Sequence, residues 1–162
     1  MRKSHKNRYA HKVSVQKAWF EKPSSLADTS GHRGSRRAGI TFEKNMGSFL
    51  RKKFKGKVLS NVWIGYESFG EVRVCSPDHL IIDVESGFIT IVECKLTHIG
   101  TAYYQMVNLY LPVLKALFPG FELRGIEFCK NFDRSVSYPV GINLVRELRS
   151  TWSGFNNVHI AR

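Results

Sequence analysis

Asp78 follows a proline, fourteen residues separate it from Glu93, and Lys95 stands two positions further on. Two acids and an amine at that spacing can act together only if the chain folds back between them. Residues 78–84 are apolar and β-branched, Glu85-Ser86-Gly87 is a turn signal, and residues 88–95 form a second apolar run, which predicts an antiparallel hairpin. Side chains alternate along a strand, so Asp78, Leu80, Ile82 and Val84 share one face, while Ile89, Ile91, Glu93 and Lys95 share one face of the partner. A two-residue turn centred on Glu85-Ser86 sets Asp78 opposite Glu93; one centred on Ser86-Gly87 sets it opposite Lys95. Either register gathers three charges at the end of an aliphatic row, where charge is costly unless it is paired or bound to a metal.

Opposed strand residues lie about 4–5 Å apart, so the two carboxylates repel and one pKa rises unless a cation sits between them. Oxygen ligands that leave positions for water and phosphate suit Mg²⁺, with Mn²⁺ as a substitute. Lys95 would then orient the attacking water and stabilise negative charge on a phosphate. Cys94 points to the opposite face and offers only its backbone carbonyl. The same residues would also serve as a cross-strand salt bridge at a sheet edge.

Pro77-Asp78 with Glu93-Cys94-Lys95 resembles the motif of the PD-(D/E)XK nuclease superfamily. The resemblance covers residues 36–132 and implies Mg²⁺-dependent hydrolysis of phosphodiester bonds in DNA. It also implies an α/β fold with a restriction-endonuclease-like αβββαβ core, a mixed central sheet flanked by helices. Residues 36–54 carry apolar side chains at helical spacing, and Glu43 lies in the stripe Ile40, Glu43, Gly47, Leu50, Phe54. A carboxylate there faces a site or pairs at the border of the stripe; by the resemblance, Glu43 joins Asp78 and Glu93 at the metal.

Residues 101–118 predict a helix that Pro112 kinks or divides and Pro119-Gly120 stops. Gln105 and Tyr110 resemble the glutamine and tyrosine of the RecB-like exonuclease branch, where the tyrosine follows by four residues; here it follows by five. The resemblance gives Gln105 a part in positioning the substrate, and a solvated helix face is the alternative. Tyr103, Tyr104 and Tyr110 suit a core, a rim or base stacking. Residues 58–66 read as the strand before the hairpin and residues 121–129 as a strand after the helix, which completes the order α, β, β, β, α, β.

Charge bears independently on the partner. The chain carries +12, and residues 1–57 hold sixteen Lys and Arg against three acids, while residues 58–162 hold nine against ten. A one-sided excess of this kind is an electrostatic footprint for a polyanion. The expected DNA contacts are Arg36, Arg37, Arg51, Lys52, Lys53, Lys55 and Lys57, although cations at a helix C-terminus also complement its dipole. Residues 1–35 read as a basic, flexible arm rich in loop signals, and residues 36–162 as the nuclease domain. At the C-terminus, residues 144–148 suggest a short helix with Trp152 as an anchor, and residues 156–162 carry no signal.

Cys75, Cys94 and Cys129 lack metal-ligand spacing and read as buried free thiols of a reducing compartment. His79 faces away from the three charges and reads as a packed histidine; His98, three residues past Lys95, is a candidate phosphate contact. Asp83 and Glu85 are excluded from the site by face and by turn. The Met-Arg-Lys-Ser start lacks the apolar h-region, about 7–15 residues long, of a secretory signal, and no run nears the roughly 18 apolar residues of a membrane span. The expectation is a Mg²⁺-dependent DNA nuclease of the cytoplasm or nucleoid, or of the host cytoplasm if viral. Structure-selective endonuclease and end-processing exonuclease both stay open. Junction resolvases of similar layout work as symmetric dimers, which leaves a homodimer open, and the rival reading is a DNA-binding accessory on an inactive nuclease scaffold.

Overall fold

The computed structural model describes residues 2–3, 14–19, 34–97, 101–131, 137–138, 142–151 and 154–160. In chain order these form β1 (Arg2–Lys3), β2 (Ser14–Trp19), α1 (Ser35–Lys53), β3 (Lys57–Ser60), β4 (Trp63–Ser68), β5 (Glu71–Cys75), β6 (His79–Asp83) and β7 (Phe88–Thr97). There follow α2 (Thr101–Gln105), a π-turn (Met106–Tyr110), α3 (Leu111–Leu117), β8 (Glu122–Asn131), β9 (Ser137–Tyr138), β10 (Ile142–Thr151) and β11 (Gly154–Ile160). The fold is α/β. A central mixed sheet runs β11-β10-β8-β7-β6-β3, with β9 beside β10, and a second sheet runs β1-β5-β4-β2. Among the described residues no helix is long and apolar enough to cross a membrane.

The β6–β7 hairpin has one register: His79 pairs with Val92, Ile82 with Ile89 and Asp83 with Phe88. This is the alternative centred on Glu85-Ser86, and it sets Asp78 beside Glu93. The connection is nevertheless four residues long. Asp83 accepts from the Ser86 amide at 3.1 Å and the Ser86 hydroxyl at 2.7 Å, and Gly87 takes φ 71°, a left-handed conformation open to glycine. Val84, expected on the buried face, therefore lies in the turn and is exposed.

Alternation divides the core between the two faces of the central sheet. Ile81, Val92 and Phe128 meet Phe42, Met46 and Leu50 of α1 on one face; Leu80, Ile89, Ile91 and Leu123 meet Leu109, Tyr110, Val113 and Leu114 of the helical run on the other. Each fully buried aliphatic side chain contributes roughly 1.5–3 kcal/mol, so these rows fix α1 and α3 to opposite sides. β7 and β8 are parallel, and the helical run between them is the crossover that parallel pairing requires.

Three expectations change. Residues 58–66 are two strands, because Asn61 at φ 60° turns the chain out of the central sheet; β3 pairs with β6, whereas β4 pairs with β5 and β2. Residues 144–148 are not helical. They lie in β10, which pairs antiparallel with β8 and occupies the backbone groups that the edge of β8 would otherwise leave open. Gly154–Ile160 in turn pairs with β10, so the uninformative tail is largely strand. Within residues 1–35, expected as an arm of loops, Ser14–Trp19 pairs with β4 and Arg2–Lys3 with β5; most of the remainder, like Trp152, lies outside the described residues.

Candidate active site

Asp78, Glu93, Lys95, Glu43 and Gln105 line one cavity of about 610 Å³, together with Arg36 and Tyr110. The elements that deliver them are the start of β6, the C-terminal half of β7, the first half of α1 and the end of α2. Pro77 ends the loop from the second sheet, and Asp78 is pinned at once: its Oδ2 accepts from the Cys94 amide at 2.7 Å. Alternation then turns Glu93 and Lys95 into the cavity and Cys94 toward the α1 side.

Glu93 is 1% exposed. Its Oε2 accepts from Lys95 Nζ at 2.6 Å, while its Oε1 is buried and has no hydrogen-bond partner. The nearby Tyr110 hydroxyl acts on the Glu93 carboxylate but directs its proton to the Ser76 carbonyl at 3.0 Å. Burial, and then the Asp78 carboxylate, push the Glu93 pKa up to about 8 against the pull of Lys95. Burial would lower the Lys95 pKa, yet the carboxylates of Glu93 and Asp78 outweigh it and hold the amine above its ordinary value, as an ammonium. A carboxylate that is desolvated, beside a second carboxylate, with one oxygen left over is chemically suited to a hard cation. Glu93 and Asp78, with Glu43 on the facing helix, are the residues that would hold one. Among the described residues, however, no three His, Cys, Asp or Glu side chains stand close enough together to share a metal. Glu43 reaches the common cavity without joining the two hairpin acids in one cluster.

Gln105 lines the cavity, but its amide donates to the Tyr110 hydroxyl. Those residues are five apart, which in an α-helix would turn them away from each other. The π-turn between them brings positions i and i+5 onto one face. Pro112 explains why the ladder loosens here: it has no N–H to give, and its ring crowds the carbonyl four residues back. Gln105 thus acts on Tyr110, and Tyr110 on the Ser76 carbonyl two residues before Asp78.

His79 is packed, as expected, at 2% exposure. Nε2 lies 2.9 Å from the Glu43 carbonyl and Nδ1 lies 2.8 Å from Ser60 Oγ. A carbonyl only accepts, so Nε2 carries the proton and Nδ1 accepts from Ser60, whose oxygen accepts in turn from Arg51 at 3.2 Å. The cysteines are unpaired; burial pushes the thiol of Cys75 up strongly and that of Cys129 to about 12, and Cys94, also raised chiefly by burial, is no nucleophile. Asp83 and Glu85 stay out of the site, and His98 lies outside the described residues.

The expected DNA contacts divide into two groups. Arg36 lines the cavity, and Arg37 lines a neighbouring cavity of about 500 Å³ with Thr41, Asn45 and Lys130. Arg51, Lys52 and Lys53 close the other end of α1, exposed Lys55 and Lys57 follow in the turn and at the start of β3, and Lys53 is about 15 Å along the axis from Glu43 at 1.5 Å per residue. Sequence reading missed Ser60, for which it holds no signal, and Glu127. Glu127 is wholly buried, pairs in register with Glu93 across β7 and β8, and accepts weakly from Cys129 Sγ at 3.7 Å. Its signal was present: a carboxylate among Leu123, Gly125 and Cys129 on the inward face of a strand. No protein-family model, curated protein or solved structure matches the chain.

Proposed function

We infer that the chain is a Mg²⁺-dependent deoxyribonuclease of the PD-(D/E)XK kind, hydrolysing phosphodiester bonds of structured or broken DNA. The observation that carries this reading is the Glu93 carboxylate, almost completely buried beside Asp78 and Lys95, with one oxygen that has no hydrogen bond. Burying a carboxylate costs several kcal/mol, which the single bond from Lys95 offsets in part and a bound cation would offset further. The chain order of α1, β3, β6, β7, the helical run and β8 supports a restriction-endonuclease-like core, once the β4–β5 hairpin is assigned to the second sheet.

In this reading Asp78 and Glu93, with Glu43 near, would hold Mg²⁺, which would supply positive charge beside the reacting phosphate and make water a better nucleophile. The Lys95 ammonium sits at the cavity wall, where it orients the attacking water and offsets charge that develops on phosphate oxygens. Tyr110 and Gln105 hold the loop that carries Asp78. Arg36 and Arg37, in the first turn of α1, stand against the helix dipole, which cations at a helix start oppose; an anionic DNA backbone passing both cavities would offset that cost. The lysines at the far end of α1 sit where the dipole favours them, so they need no ligand to explain them.

One observation favours the rival reading of a DNA-binding protein without activity: the three acids do not form a single metal-sized cluster. Cleavage decides between them. Covalently closed circular, linear and four-way-junction DNA are incubated with Mg²⁺ and wild type, Lys95→Ala or Glu93→Ala. The nuclease reading expects cleavage by wild type and a loss of about 10²-fold or more in both variants, with DNA binding retained. Circle nicking would mark an endonuclease, and loss of linear DNA alone an exonuclease. Binding without any metal-dependent product would establish the accessory protein.

A further inference from the structure

The acids meant to act together reach the cavity from different elements, Asp78 from the hairpin and Glu43 from α1. Apolar packing of Phe42, Met46 and Leu50 holds α1 to the sheet but is non-directional, and it tolerates small rotations or slides that would change how far the Glu43 carboxylate stands from Asp78 and Glu93. A hydrogen bond has a narrow range of length and angle and does not. Between α1 and β6 a contact of this kind is made by His79, the residue next to Asp78. Its neighbour across the β3–β6 ladder is Ser60, whose hydroxyl fixes the ring through Nδ1; the far nitrogen then reaches the backbone carbonyl of Glu43 itself. Gly47 makes room one turn along, since a Cβ there would stand 2.9 Å from the ring Cε1.

We propose that His79 is the positioning residue for Glu43: through its Nε2–H it fixes the turn of α1 that carries Glu43 relative to the strand that carries Asp78, and so sets the affinity of the acid site for a divalent cation. His79 does not line the cavity. It acts through Glu43, and the inference rests on the metal-site reading above.

Two substitutions separate positioning from packing. His79→Gln carries an amide N–H out to the place of Nε2 and keeps the bond to Glu43; His79→Asn reaches only as far as Nδ1 and keeps the bond to Ser60. Calorimetric titration with Mn²⁺ alone is the readout, with thermal unfolding in parallel. Loss of an outer-shell contact typically costs 10–100-fold in metal affinity, so His79→Asn should bind Mn²⁺ roughly tenfold or more weakly, while His79→Gln stays within about threefold of wild type. Adding Asn to the Glu43→Ala background should change Mn²⁺ affinity little, because the residue through which His79 acts is already gone. Equal affinity for the Gln and Asn variants overturns the inference, as do additive effects with Glu43→Ala. Wild type that binds Mn²⁺ but cleaves no DNA refutes the nuclease reading while the same titrations still decide the role of His79. Wild type that binds no Mn²⁺ ends both.

Discussion

Asp78 is held from both faces of the central sheet, and the two holds are built differently. On the helical-run side, Gln105 donates to Tyr110 and Tyr110 to the Ser76 carbonyl, two residues before Asp78. On the α1 side, His79, one residue after Asp78, is locked between Ser60 and the Glu43 carbonyl. The first hold depends on an extra residue in a helix, which widens a turn; the second depends on a missing side chain, at Gly47. One is made from groups that stay uncharged in ordinary buffers, the other from an imidazole. The contrast teaches that apolar layers set the distance between sheet and helix, while the placement of a single acid at their seam is left to short directional bonds on each side.

Removing the Tyr110 hydroxyl should have the largest effect on stability of the changes that separate the two holds. Tyr110→Phe leaves the buried Gln105 amide and the Ser76 carbonyl without this partner, at a cost of about 1–3 kcal/mol in urea unfolding. A cost below about 0.5 kcal/mol would mean that water serves both groups equally well. The histidine hold is tested from the helix. Gly47→Ala drives a methyl against the imidazole and to 3.2 Å from Ser60 Oγ, so an overpacking cost of about 1–3 kcal/mol outweighs the gain of up to about 1 kcal/mol in helix propensity. Gly39→Ala in the same helix meets nothing within 4 Å and should instead stabilise, by about 0.5–1 kcal/mol. Opposite signs are the expected outcome, and a shared sign would remove the close approach from the account.

The smallest effect is a slope with pH. Burial holds the His79 pKa below its ordinary value; Arg51 adds to the shift, and the Glu43 carbonyl and the Asp78 carboxylate oppose it. The unfolded chain takes up this proton near pH 6.5 and the folded chain only below that. The contribution of the neutral ring is therefore complete above about pH 6.5 and declines as pH falls from there through the lowered folded value. Tyr110, raised by burial and by Glu93, contributes no slope in that window. Glu93, pushed up to about 8, has the opposite slope over this range, because the folded chain binds its proton more tightly than the unfolded one, and it is common to both proteins. In the presence of chelator, urea unfolding should therefore show wild type losing stability relative to His79→Gln as pH falls through mild acid. Parallel curves would assign the acid sensitivity to other groups.

The hairpin, the first helix and the parallel strand after the second helix were legible because each carries a strong period: two for residues 78–84 and 88–95, and near 3.6 for Phe42, Met46 and Leu50. Asp78, Glu93 and Lys95 were legible for the same reason, since alternation alone decides what faces the cavity. The break at Asn61 was not, because Val58 to Tyr66 reads without interruption and one residue at positive φ suffices to divide it between sheets. Residues 144–148 misled because leucines four apart satisfy a helix as well as they satisfy a strand that some edge is waiting to recruit. The contact of His79 with α1 was hidden by a correct inference: it does face away from the cavity, and what it faces is the backbone of Glu43, a cavity residue.

The widened turn between Gln105 and Tyr110 has a consequence for how such chains change length. A codon added inside a regular helix rotates everything beyond it by a quarter turn or more and would scramble the packing of Val113 and Leu114. Taken up in a π-turn, the same addition is confined to a few residues, and the side chains before and after it keep their phase. Counting residues between two partners in a helix is thus a poor ruler across an insertion; the face on which they end up is the quantity that is preserved.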